Sequence, residues 1–325
     1  MVGGGRPLVL AVLGPTASGK SALALALAER YGGEIVNCDS TAVYRGFDIG
    51  TDKVPVEARR AVPHHLIDVA DPTEVYTAAQ YARDAAHVIR EIHARGRLPI
   101  VVGGTGLYYR ALTRGLFPGP GADEALRARL DRVADRRGVE RLHRMLQRVD
   151  PESAARIMPR DRKRLVRALE VYLVTGRPLT EHFSDTASPI GDCEVVAIAL
   201  RLPAALTAER VARRVDEQFT RGLAAEVSAL LARGVPPTAR PFGGLVYRQV
   251  MEMRRGMRDE PATRALIAQE NRRYARRQLI WFRKEPNLIW FDGPGERPET
   301  RRRVEEALAA RGLQDARADE SDVHR

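Results

Sequence analysis

The chain is poor in cysteine, in long apolar runs and in repetition. Two cysteines among 325 residues, Cys38 and Cys193, cannot build a disulfide framework or a zinc site alone. The apolar run Leu8–Leu13 is far too short to span a bilayer, and the glycine-rich start with its single Arg does not read as a signal peptide. No internal repeat and no heptad seam is visible, which excludes solenoids and coiled coils. A soluble, cytoplasmic protein is expected. At 44% hydrophobic residues the chain can bury a sizeable core, and its length allows one large domain or two smaller ones.

Charge is abundant and unevenly placed. The net charge is +11 and the isoelectric point about 10.1. Residues 1–110 hold 12 Lys and Arg against 11 Asp and Glu, so nearly all the excess lies in the later two-thirds. Such an excess suits a polyanionic partner, nucleic acid above all; the alternative is arginine spread over solvated faces.

Apolar strand-like runs at Leu8–Leu13, residues 34–38 and residues 98–102 alternate with helical patterns over 21–31 and 77–95. Alternation of this kind predicts a parallel α/β sheet covered by helices. Two Pro/Gly-rich breaks, at 117–123 and 186–192, enclose an Arg-rich stretch of helical periodicity. The predicted organisation is a catalytic core of 1–117 and 191–312, an all-helical insertion over 118–190, and a disordered tail over 313–325. Within the second half of the core, a strand-like run at 194–200 precedes helical patterns over about 208–284 and a short strand near 288–291.

Gly14-Pro15-Thr16-Ala17-Ser18-Gly19-Lys20-Ser21 fits the G-x-x-x-x-G-K-[ST] phosphate loop, with a strand before it and a helix after it. Its glycines let backbone N–H groups wrap a phosphate, and the helix N-terminus faces the anion. Lys20 adds a full charge and Ser21 offers a hydroxyl to Mg²⁺. The motif does not by itself specify a nucleoside triphosphate. In open α/β sheets ligands bind at the carboxyl ends of the strands. Asp39 follows the second strand and Thr105 follows the run Leu98 to Gly104, so both should flank the loop. Asp39 reads as a metal ligand, a general base or a helix N-cap; Thr105 as a hydrogen-bonding group or a small turn residue. The third run ends in glycines where many ATPases place an aspartate, which argues against an ordinary ATPase.

Several segments together resemble one family, the tRNA dimethylallyltransferases (tRNA isopentenyltransferases). They are GPTASGKS, NCDSTAVYRGFDIGTDK, PHHLIDVADPTEVYTAAQY, LPIVVGGTGLYYRAL, DRKRLVRALEVYLVTGRPLTE, RVDEQFTRGLAAEV, GGLVYRQVM and RRYARRQLIWFRK. The resemblance runs from about Leu8 to Phe291. It implies transfer of a five-carbon group from dimethylallyl diphosphate to N6 of adenosine 37 in the tRNA anticodon loop, with diphosphate leaving and Mg²⁺ assisting. Residues 14–21 would then cradle the diphosphate, Lys20 and Mg²⁺ on Ser21 would neutralise the leaving group, and Asp39 would act on the N6 proton beside Thr105. Base 37 would have to leave its stack. Arg214, or its neighbour Arg213, stands at the family's diphosphate-binding arginine. His64 has either a polar role near the site or a structural hydrogen bond.

The same resemblance implies tRNA contacts at Asp39, Ser40, Thr41, Ala42 and Thr105; at Lys163, Arg164, Leu165, Val166 and Arg167; and at Gly243, Arg248, Arg276, Arg277, Gln278, Trp281 and Arg283. Arginines interleaved with Tyr274, Trp281 and Phe282 suit phosphate contact and base stacking; on an amphipathic helix the aromatics could equally be core. The chain has no C-terminal Cys/His set, as in the shorter bacterial members, and GGLVYRQ departs from the commoner family wording. A monomer is implied, with no membrane and no protein partner. The competing readings are a prenyltransferase acting on free adenine nucleotides, a small-molecule kinase, and a non-catalytic RNA-binding protein.

Overall fold

The protein is described by a computed structural model covering residues 6–117 and 119–313. Its sheet contains β1 (Leu8–Leu13), β2 (Gly33–Asn37), β3 (His64–His65), β4 (Leu98–Gly103), β5 (Glu194–Arg201) and β6 (Leu288–Asp292). All pairings are parallel and the order is β3-β2-β4-β1-β5-β6. The fold is thus a P-loop-type parallel sheet flanked by helices. β3 was not expected; two residues carry no readable period.

Side chains alternate across β1. Val9, Ala11 and Leu13 enter one core with Val101, Ala197 and Tyr81, while Leu10 and Val12 enter a second with Leu23, Ile100 and Ile198. Both faces of the sheet are buried, which is why its strands read as continuous apolar runs. Helix α1 (Lys20–Tyr31) covers the second face, and α3 (Ala78–Ala94) covers the first. Thr77 caps α3, accepting from the Gln80 amide. The short α2 (Val56–Ala61) precedes β3, and α4 (Gly106–Arg114) leaves β4.

The chain divides into two compact units. Residues up to Thr113 together with those from Pro189 onward form one, and Arg114–Ser188 form the other. The second holds α5 (Glu124–Arg137), α6 (Val139–Val149), α7 (Pro151–Arg156) and α8 (Arg162–Thr175), started by Asp123, Asp150 and Asp161 caps. Leu130, Leu142, Leu146, Leu165 and Leu169 form its own core. The first unit continues with α9 (Ala204–Thr220), α10 (Leu223–Ala232), α11 (Leu245–Arg254), α12 (Glu260–Phe282) and α13 (Pro298–Ala309). Of the tail expected to be disordered, Leu313 packs against the second core face; residues 314–325 lie outside the described residues.

Candidate active site

In the order β2-β4-β1, three adjacent strands deliver Asp39, Thr105 and the phosphate loop to one crevice at their carboxyl ends. The loop is held from three directions. The Thr16 amide donates to Gln278 Oε1 at 2.9 Å, Arg210 Nε donates to the Ala17 carbonyl at 2.6 Å, and the Gly295 amide donates to the Ser18 carbonyl at 2.9 Å. Gly19 has φ 81°, and a Cβ there would lie 2.7 Å from the Gly295 nitrogen. Only glycine meets both demands. Ser18 Oγ is fully buried with no partner among the described residues, an orphaned hydroxyl that a bound phosphate oxygen would satisfy.

Lys20 sits at the start of α1 with Nζ 3.3 Å from the Pro15 carbonyl. Burial, with the nearby Arg214 charge, pulls its pKa down to about 8; Asp39 and Asp52 oppose this. A cation held at that cost suits an anionic ligand. Ser21 is exposed in the first turn of α1 and borders the same pocket as Ser18 and Lys20.

Of the two adjacent arginines, Arg214 is the one that touches the phosphate loop. Its Nη1 donates to Thr16 Oγ1 at 2.8 Å and its guanidinium pairs with Asp52. Arg213 is exposed, 3.5 Å from Glu217.

Asp39 does not cap a helix. Its Oδ1 accepts from the Thr41 amide (2.8 Å) and hydroxyl (2.6 Å), which fixes the carboxylate in a tight turn. No partner of Oδ2 occurs among the described residues. Thr105 Oγ1 accepts from the Ser40 amide at 3.1 Å, tying the ends of β2 and β4 together. The glycines that end β4 follow from this closeness. A Cβ at Gly103 would strike the Cys38 carbonyl, and one at Gly104 the Gln278 side chain.

A cavity of about 310 Å³ joins these groups. Thr16, Lys20, Asp39 and Arg214 line it on the polar side; Leu245, Val246 and Tyr247 of α11 supply an apolar wall. Among the lining residues that sequence reasoning did not single out are Asp52, Gln218, Tyr247 and Asn271. Tyr274, seen in sequence only as a stacking candidate, reaches Thr105 instead; burial and the Asp39 charge push its phenol up to about 12, so it stays protonated.

Other expected positions resolve differently. Gln278 is buried, accepts from the Thr16 amide and donates to the Gly104 carbonyl at 2.9 Å, so it braces the phosphate loop against β4 while also lining the cavity. Trp281 packs edge-on against Gly106 under the Arg110 guanidinium, 4.5 Å from the ring centroid, and is therefore a packing residue. Ala42 is buried. On edge strand β3, His64 Nδ1 donates to the Val62 carbonyl (2.7 Å), a structural bond away from the cavity lining. Burial lowers its pKa.

In the helical unit, Leu165 and Val166 are buried in the core and cannot meet RNA through their side chains. The basic run around them is largely neutralised: Arg160 pairs with Glu140, Arg162 with Asp131 and Asp135, Arg164 with Asp161, and Arg167 with the buried Glu170. Lys163 is exposed without an ion pair among the described residues. On α12 the balance is opposite. Arg272, Arg273 and Arg276 are exposed and carry no ion pair among the described residues, as does Arg283 beyond the helix. Arg277 lies over the Tyr274 ring (5.6 Å), and Arg248 pairs with Glu270 at 3.1 Å beside Gly243.

A family model described as IPP transferase matches residues 42–285. A tRNA dimethylallyltransferase of Koribacter versatilis is 48% identical over 290 residues, 89% of this chain and 94% of its own. One of Geobacter sulfurreducens is 46% identical over 90% of this chain and 94% of its own. The crystal structure of the full-length tRNA isopentenylpyrophosphate transferase of Bacillus halodurans superposes with a TM-score of 0.69 at 35% identity, covering 98% and 99% of the two chains. The chain therefore belongs to the IPP transferase family, prenyltransferases whose curated relatives carry the name tRNA dimethylallyltransferase.

Proposed function

We propose that this protein transfers the dimethylallyl group of dimethylallyl diphosphate to N6 of adenosine 37 in the anticodon stem-loop of tRNA, releasing diphosphate. The observation that carries the reading is one cavity with three kinds of wall. A phosphate loop with Lys20 and Arg214 forms the first, an apolar wall of Leu245 and Val246 the second, and a carboxylate with one open oxygen the third.

The leaving group's charge develops on the oxygen that joined C1 to the α-phosphate as the C1–O bond breaks. Lys20, Arg214, Thr16 and Ser18 are preorganised to meet that charge. Asp39, fixed through Oδ1, keeps Oδ2 to accept the N6 proton as nitrogen bonds to C1. Thr105 and Tyr274 stand beside it as hydrogen-bonding groups for the adenine edge.

Mg²⁺ is the expected cofactor. No cluster of three metal-ligating side chains occurs among the described residues, and Ser21, the hydroxyl that ends the phosphate-loop motif, borders the same pocket as Lys20. That sparse donor set fits Mg²⁺, which keeps several waters and binds largely through substrate phosphates. Bound there, the ion would neutralise leaving-group charge. The RNA would meet the exposed arginines of α12 with Arg248, and Lys163 of the helical unit, in the cell's cytoplasm.

The test is incubation with Mg²⁺, radiolabelled dimethylallyl diphosphate and an unmodified tRNA carrying adenosines at 36–38, with AMP and ADP as parallel acceptors. Label in tRNA alone is expected. Label in the free nucleotides would move the acceptor assignment, and ATP hydrolysis without label transfer would return the loop to kinase chemistry.

A further inference from the structure

Contacts lead step by step from the phosphate loop to the far wall of the cavity. Thr16 touches Arg214, Arg214 pairs with Asp52, and Asp52 accepts from Gln218 Nε2. Gln218 Nε2 also reaches the Gly50 carbonyl at 3.4 Å, and the Gly50 amide donates to the Tyr247 hydroxyl at 3.0 Å. Tyr247 thus lines the cavity with Leu245 and Val246, several contacts removed from the phosphate loop, where a chain extending from C1 would meet it.

The ring has no freedom to retreat. Its hydroxyl donates to Glu226 Oε1 at 2.6 Å. Behind it lie Phe47, with ring centroids 4.8 Å apart at 75°, and Phe242 at 6.4 Å. The Gly50 backbone presses so close that a Cβ there would come within 2.6 Å of the phenol carbon. Glu226 is itself fixed. Its Oε2 accepts from the amides of Asp48 (3.0 Å) and Ile49 (2.7 Å), so one carboxylate binds both the loop and the phenol. Burial and the Glu226 charge drive the phenol's pKa far upward, so it remains a donor.

We propose that Tyr247 is the stop that limits the donor to a single five-carbon unit, with Glu226 as the positioning residue that keeps its ring in place. The proposal rests on the donor reading above. A ten-carbon chain would need the volume the ring occupies, and the ring can yield it only by leaving Glu226 and Gly50.

The test compares dimethylallyl and geranyl diphosphate as donors to the same tRNA, in the unaltered protein and in Tyr247→Phe and Tyr247→Ala. The unaltered protein should transfer the five-carbon group only. Tyr247→Phe keeps the ring but loses its hold on Glu226 and Gly50, so it should relax that exclusion, by less than Tyr247→Ala does. Tyr247→Ala should raise the ten-carbon to five-carbon ratio of kcat/KM at least about tenfold, the least that one methylene discriminates in a closed pocket. A Tyr247→Ala protein that transfers the five-carbon group yet still excludes the longer one would overturn the proposal. Competition in the unaltered protein decides the matter should that variant not fold. Geranyl diphosphate should inhibit no better than inorganic diphosphate, and inhibition as tight as binding of the five-carbon donor would refute the stop. Failure of the unaltered protein to transfer even the five-carbon group would overturn the donor reading, and the proposal with it.

Discussion

Raising the pH from 7 to 9 should discharge Lys20 in the empty protein and weaken its hold on diphosphate. Burial first, and the Arg214 guanidinium second, bring the ammonium down to a pKa of about 8. Roughly nine-tenths of it is charged at pH 7 and roughly a tenth at pH 9. A bound diphosphate restores the charge, so binding at pH 9 must take up about one proton and lose about tenfold in affinity. The ligand titrates too, so the comparison is with Lys20→Arg, whose guanidinium stays charged throughout. Calorimetry with inorganic diphosphate and Mg²⁺ should show the ratio of the two dissociation constants changing about tenfold between pH 7 and 9, with proton uptake only in the unaltered protein. A constant ratio and no proton uptake would refute the reasoning. The same displacement has a stability counterpart. Between pH 8 and 10.5 the unfolded chain holds more protons at this site than the folded one, so the empty protein gains stability as pH rises through that window. Below pH 8 the buried charge costs up to roughly 3 kcal/mol, at about 1.4 kcal/mol per tenfold change. Lys20→Met should accordingly raise the denaturation midpoint at pH 7 while abolishing diphosphate binding.

Asp39→Ala should lower kcat by roughly 10²–10⁴, as loss of a general base does, with tRNA affinity little changed; single-turnover transfer within a factor of two of the unaltered protein would exclude it as the base. Gln278→Leu leaves the Thr16 amide and the Gly104 carbonyl without their buried partner, so urea denaturation should show a loss of about 1–3 kcal/mol together with reduced turnover. Replacing Arg272, Arg273, Arg276 and Arg277 together by Gln should weaken tRNA binding and flatten its dependence on salt, read from dissociation constants at several salt concentrations. An unchanged slope would return these arginines to a merely solvated face.

The parts of the site that are local in the chain were legible in the sequence. The phosphate loop announces itself in eight consecutive residues. β1 matches its apolar run residue for residue, and Asp39 and Thr105 follow from where apolar runs end. What was hidden depends on long-range pairing. Arg214 meets Thr16 across 198 positions, Gln278 meets Thr16 across 262, and Gln218 meets Asp52 across 166, none of which leaves a local pattern. The charge balance of the basic segments was hidden for a related reason. Arg160 to Arg167 look basic in sequence, but Glu140 and Asp131 reach Arg160 and Arg162 from other helices, Asp161 and Glu170 pair with Arg164 and Arg167 from neighbouring turns, and every third or fourth side chain turns inward. Trp281 lies among arginines in the sequence, but in the fold its ring sits under Arg110, because Gly106 opens the space it fills.

The most direct test of the account identifies the product at its position. After reaction with dimethylallyl diphosphate, the tRNA would be cut with a base-specific ribonuclease and the anticodon-loop fragment weighed by mass spectrometry. The account predicts one added dimethylallyl group on adenosine 37, on N6, lost in the Asp39→Ala protein and lost when base 37 is guanosine. An unmodified fragment, or a group carried on another nucleotide, would contradict it.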